Sequence, residues 1–183
     1  MATFLPRLTD LGIQNNPKWY SENVFYNGGY GMPNCTCYAW GRFWEESNDD
    51  LTSLANKPTD LPTGDGGQWW DQNLISGAYP SGQIPKLGAV ICFSDNNGGA
   101  GHVAVVEEID SNGNLRTSNS AWGGTYFWID TVNASSGYNW DHYTFQGFIY
   151  NPHLEEPISS KQNKFPWVLY ARKLRERRNG GIL

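Results

Sequence analysis

Apolar and polar positions along the chain fall into stretches with different periods. Residues 1–33 alternate apolar and turn residues without a regular period, and "NNPKWYSENVFYNGGYG" reads as a loop with aromatic anchors. "Pro33–Asn34" then makes a sharp start, and "CTCYAWGRFWEE" has helical content with Asn34 as its cap. Gly41 inside that run costs about 1 kcal/mol relative to Ala, and the expected compensation is close approach to a strand. "SNDDLTSLANKPTDLPTGDGG" reads as loop, and "GGQWWDQNLISG" as a second, short helix capped from Asp65.

Past residue 80 the period shortens. "GAVICF" and "HVAVVEEI" are β-rich runs bounded by turn residues, and "DSNGN" before "LRTSNS" is a hairpin signal. "TYFWIDTV" and "FQGFIY" are further strand candidates. Helices come first and strands later, which predicts an α+β fold with helices packed on an antiparallel sheet. "NPHLEEPISSKQN" reads as a linker. In "FPWVLYARKLRERR", Trp167, Tyr170, Ala171 and Leu174 recur at helical spacing opposite the arginines, which predicts a basic amphipathic helix. The expected division is residues 1–150 as the main domain with an N-terminal extension, and 151–183 as linker and basic C-terminal helix.

Charge sharpens that division. The whole chain carries −5, but residues 1–160 hold six Lys/Arg against seventeen Asp/Glu (−11), and residues 161–183 hold seven against one (+6). An acidic body is a poor nucleic-acid binder. The basic tail either packs its apolar stripe on the domain or meets an anionic partner or lipid. Aromatics are 15% of the residues and charged groups only 17%. Such a composition supplies an aromatic core, or planar surfaces for sugars and peptides. No run approaches the ~20 apolar residues of a membrane span. Pro6 and Arg7 stand where a secretory signal would need its apolar run, so the expectation is a chain made without one.

Three cysteines make no disulfide framework, and with three histidines they show no zinc spacing. Cys35 at the first turn of a helix faces unpaired backbone N–H groups, which stabilise a thiolate. Cys37 lies about 200° around the helix and points into the structure. Cys35 is therefore either a nucleophile beside a packed thiol or, like Cys37, a small buried residue. His102 heads a β-run in which Ala104 and Val106 share its face and Val103 and Val105 take the other. It is either the base such a nucleophile needs or a satisfied edge histidine. Asn119, on the following antiparallel strand, is placed to orient the His102 ring, with Ser118, Ser120 and Asp141 as rivals.

Taken in order, "NCTCYAWGR", "PKLGAV", "GHVAVVE" and "TSNSAWGG" resemble the CHAP domains, the cysteine- and histidine-dependent amidohydrolase/peptidases of the papain-like superfamily, of phage-lysin type. The resemblance covers roughly residues 20–150. It implies the papain-like CHAP fold, with Cys35 as nucleophile, His102 as base and Asn119 as third residue. Two departures stand out. Asn34 replaces the usual Gln, and Ala121 stands where relatives with Glu at the third position keep an Asn. The places where some relatives hold calcium carry Tyr26, Gly28 and Cys37, so no metal and no cofactor is expected. By the resemblance the reaction is amide cleavage in bacterial peptidoglycan through a thiolate–imidazolium pair and an acyl-enzyme. The Cys35 N–H, with Asn34 or Tyr30, holds the oxyanion, and aromatic loops including Trp122 line the groove. The implied setting is a phage-encoded protein made in the host cytoplasm and acting on the wall, released by a holin or carried on the virion, with anionic wall polymers or a virion protein as partners of the basic tail. Rival functions are a non-catalytic wall-binding or structural virion module, and a cysteine amidase for another substrate.

Overall fold

A six-stranded sheet in the order β1–β6–β2–β3–β4–β5, antiparallel throughout, carries the helices on one face. The computed structural model describes residues 1–10, 17–48 and 55–155. The basic C-terminal helix and the end of the expected linker lie outside the described residues, as does part of the loop after residue 48. In chain order the elements are α1 (Pro17–Ser21), α2 (Val24–Asn27), α3 (Cys35–Glu46), a 3₁₀ turn (Gly66–Gln68), α4 (Trp69–Ser76), β1 (Ser81–Gly82), β2 (Val90–Asp95), β3 (His102–Ile109), β4 (Leu115–Asn119), β5 (Trp128–Val132), a second 3₁₀ turn (Ala134–Ser136) and β6 (Tyr143–Ile149). The α+β architecture expected from the order of periods is the one observed.

The N-terminal segment expected to be loop instead forms α1 and α2. The local cause is Asn23, fully buried, whose Oδ1 accepts from Phe25 N at 3.0 Å and Tyr26 N at 3.3 Å. Its Nδ2 donates to the Cys37 carbonyl at 2.8 Å and so ties α2 to α3. Two single turns have no hydrophobic period to read, because an Asn cap and tertiary packing hold them.

Helix α3 is buried almost all round. Cys37, Tyr38, Trp40, Phe43 and Trp44 pack with Trp19 and Trp69 against Val90, Cys92, Val103, Val105 and Ile149 on one face of the sheet. Gly41 serves a different neighbour from the expected strand. A Cβ there would come within 2.2 Å of the Trp19 indole, so the missing side chain makes room for an aromatic plate. The other face of the sheet is also covered. Ala89, Ile91, Phe93, Ala104, Val106, Leu115, Val132 and Phe148 pack under Tyr138, Trp140 and Tyr143. Burial on both faces explains why β2 and β3 read as near-continuous apolar runs.

A buried ion cluster sets helix against strand. Arg42 of α3 forks onto Glu107 of β3, with Nε–Oε1 and Nη2–Oε2 both 2.9 Å. Glu107 stands at a bulge in β3 and also accepts from Ser118 Oγ and Arg7 N, each at 2.7 Å. Arg42 Nη2 donates to the Leu5 carbonyl at 2.6 Å, and Arg7 pairs with Glu45. Arg42 and Glu107 thus have hydrogen-bonded partners, the condition under which burying a charge is tolerable, while the Glu46 oxygens make no hydrogen bond among the described residues and Oε1 stands 3.6 Å from Arg42 Nε. Burial pushes the Glu45 and Glu46 carboxyls up, against the pull of the nearby arginines. Residues 151–155, read as the start of a linker, are tied to the body. Asn151 is buried and donates to the Phe43 carbonyl at 2.9 Å, and Glu155 N donates to the Ala2 carbonyl at 3.0 Å.

Candidate active site

The start of α3 meets the start of β3 at one end of the sheet. Asn34 has extended backbone (φ −166°, ψ 134°), and its Oδ1 accepts from Cys37 N at 2.9 Å and from Thr36 Oγ1 at 2.7 Å. A cap of this kind is worth about 1 kcal/mol. It fixes Cys35 as the first helical residue, half-buried, with Cys37 fully buried behind it. The two thiols are thus split as expected, Cys35 on a cleft and Cys37 in the core. All three cysteines are free.

Cys35 and His102 line the same cleft, of about 480 Å³, together with Tyr30, Asn34 and Trp122. The sulfur lies against the first residues of β3. Burial pushes the Cys35 thiol up, while the backbone N–H groups of Val103, Thr36 and Cys35 itself pull it down by hydrogen bonding to sulfur. Val103 follows His102 in β3, so the sulfur lies against the backbone at the head of the strand that carries the base candidate. Burial also lowers His102, to about 4, against a smaller opposing effect of Asn119. Both shifts favour the neutral form of each group and so oppose the expected ion pair. The reason is desolvation: the ring stands among Phe93, Trp128, Trp140 and Tyr143, with centroids 5.5–6.5 Å away.

Asn119 is fully buried and its Oδ1 lies 3.1 Å from His102 Nε2. Its Nδ2 donates to Thr117 O at 2.8 Å and to Thr117 Oγ1 at 3.1 Å, which assigns the amide orientation. An oxygen facing the ring makes Nε2 the protonated nitrogen and leaves Nδ1 as the ring's acceptor. The rivals are committed elsewhere. Ser118 donates to Glu107, Ser120 Oγ accepts from Asn34 N at 3.0 Å, and Asp141 pairs with His142 at 2.7 Å. The Asn34–Ser120 bond ties the helix cap directly to the segment after Asn119.

The supporting parts less visible in sequence are Asp65, Gly66, Asp95, Gly101 and Tyr143, all lining the cleft. Gly67 N donates to Ala100 O at 2.8 Å, and a Cβ on Gly101 (φ +71°) would meet Gly67 Cα at 2.4 Å. Only glycine lets the 3₁₀ turn lie on the loop before His102. The Asp65 cap works through Gln68, whose Oε1 accepts from Asp65 N at 3.1 Å. Among the described residues no group of three or more His, Cys, Asp or Glu is placed to hold a metal ion. Nor is any helix there long and apolar enough to cross a membrane.

Comparison with known families places the sequence model of the CHAP domain on residues 25–121, more than half of the chain. The chain belongs to the CHAP domain family. The match takes in Cys35, His102 and Asn119. Solved structures similar to this CHAP domain include an N-acetylmuramoyl-L-alanine amidase from Staphylococcus aureus, at 23% identity and a TM-score of 0.46, covering 66% of this chain and 32% of that one. Ly7917 is similar at 17% identity and a TM-score of 0.44, covering 67% and 54%. Ly7917 with the hydrolysing product of MDP gives 16%, 0.43, 67% and 55%. This chain thus spans about a third of the length of the first and about half that of the others.

Proposed function

We propose that this CHAP domain hydrolyses an amide bond of bacterial peptidoglycan with Cys35 as nucleophile and His102 as base. The observation that carries it is the convergence of a half-buried helix-N-terminal thiol and an Asn119-oriented imidazole on one open cleft. Family membership supplies the substrate class. His102 Nδ1 takes the Cys35 proton as sulfur attacks the carbonyl carbon, forming the C–S bond. The Cys35 N–H, which has no carbonyl partner inside α3, receives the oxyanion. Asn34 Oδ1 is committed to the cap, so the donor that side chain offers is Nδ2; the Tyr30 hydroxyl is the second candidate donor. Collapse breaks the C–N bond as His102 returns the proton to the leaving amine. Water then gives a proton to His102 and attacks the thioester; the C–S bond breaks and Cys35 leaves as the thiol. Trp122, 79% exposed at the cleft mouth, offers a stacking surface to the substrate.

The catalytic unit assigned to this reaction is residues 1–150, closed by 151–155; the basic segment beyond lies outside the described residues. Digestion of purified peptidoglycan, followed by mass spectrometry of the fragments, tests the proposal. New amine and carboxyl ends in matched amounts support it and identify the bond, either muramoyl–alanine or within the peptides. Fragments with no new amine overturn it.

A further inference from the structure

We propose, building on the amide hydrolysis assigned above, that Asp65 and Asp95 make the cleft selective for wall peptides that carry a free ammonium group beside the scissile amide. Two carboxylates line the cleft, and among the described residues no lysine or arginine does. They come from different elements, Asp65 just before the Gly66–Gln68 turn and Asp95 at the end of β2. A substrate between them meets uncompensated negative charge.

Both carboxylates have held backbones. The Asp65 turn is closed by Gln68 N on Asp65 O at 2.8 Å and anchored by Gly67 N on Ala100 O. The charge of Asp65 reaches the reacting sulfur, since it opposes ionisation of Cys35. The Asp95 side chain is only 12% exposed. Its Oδ1 accepts from Asn97 N at 2.7 Å, and Gly99 crowds Oδ2 so closely that a Cβ there would come within 2.3 Å. His142 Nε2 stands 3.9 Å from Oδ2, beyond hydrogen-bond length, and is itself engaged with Asp141 through Nδ1. Oδ2 therefore keeps acceptor capacity for an N–H of the substrate. An exposed Asp65 and a mostly buried Asp95 on one cleft attract a cation and disfavour a peptide carboxylate at the same place. Wall peptides supply such a cation as the side-chain amine of an uncrosslinked diamino acid or as the N-terminal amine of a bridge.

The test compares purified walls with the same walls after acetylation of their free amines. Wild type is expected to solubilise the native walls roughly five- to tenfold faster, the scale of one or two partly exposed charge pairs. Asp65→Asn and Asp95→Asn should each lower that ratio, and the double variant should bring it close to one; Asn at 95 keeps the acceptor for Asn97 N. A charge-matched control, Asp60→Asn with Asp71→Asn, changes two exposed carboxylates outside the cleft and should keep the wild-type ratio. Equal rates of wild type on both walls, an unchanged ratio in the Asp65/Asp95 variant, or a collapse in the control overturns the proposal. Retention of Cys35→Ala protein on the two walls reads the same preference without turnover. Failure of the hydrolase function would appear as no solubilisation of either wall, and failure of the charge selectivity as equal retention on both.

Discussion

His102 Nε2 and Asn119 Oδ1 meet at 3.1 Å inside the protein, and the amide nitrogen of Asn119 is held by Thr117. That contact selects the ring tautomer. Asn119→Ala is expected to lower kcat by about ten- to a hundredfold, up to the lower end of a general-base contribution, with KM little changed. Asn119→Asp puts a carboxylate against the ring and should move the acid limb of the kcat/KM profile upward, away from about 4 and toward the ordinary histidine range. Identical pH profiles for wild type and Asn119→Asp would show that the contact does not control the base.

The same burial makes His102 a stability term. Its folded value near 4 lies below the unfolded 6.5, so the unfolded chain binds this proton more readily between those values. Stability from the neutral ring is complete above 6.5 and is lost as pH falls toward about 4, on the order of 3 kcal/mol in all. Glu45 and Glu46, pushed upward, act in the opposite sense. The difference between wild type and His102→Gln in denaturant unfolding from pH 7 to 4 isolates the ring. That difference should shrink on acidification, and a constant difference would contradict a buried neutral imidazole.

Cys35 reactivity distinguishes a neutral pair from a pre-formed ion pair. Burial raises its thiol above 9.0, and Cys37, pushed up to about 12, is sealed in the core. Alkylation by iodoacetamide should fall on Cys35 alone and accelerate only as pH passes 9, because the thiolate is the reacting form. A rate already at its plateau at pH 6 would indicate a thiolate–imidazolium pair instead.

Gly41 gives a packing test. In an open helix, Gly→Ala would stabilise by about 1 kcal/mol. Here the new methyl meets the buried Trp19 indole, so Gly41→Ala should destabilise by about 1–3 kcal/mol. Chemical denaturation reads the sign directly, and an increase in stability would mean that Trp19 yields freely.

The parts legible in sequence are those whose signals are local. Asn34 before a helical run, β-rich segments bounded by turns, and the separation of Cys35 from Cys37 by helix rotation all rest on neighbours in the chain. Asn119 was reachable because hairpin pairing brings β4 beside β3. What was hidden depends on distant partners. Trp19 explains Gly41 across 22 positions, and Gly67 explains Gly101 across 34. The aromatic box around His102 draws Trp128, Trp140 and Tyr143 from late in the chain. Without that box the ring reads as an ordinary base, and the expected ion pair follows. Desolvation, visible only in three dimensions, opposes it.

The most direct test is clearing of purified bacterial walls by wild type and by Cys35→Ala at equal concentration, with circular dichroism confirming that both are folded. The prediction is that wild type clears the walls and Cys35→Ala does not. Equal clearing by the two proteins, or none by either, would contradict nucleophilic catalysis by Cys35.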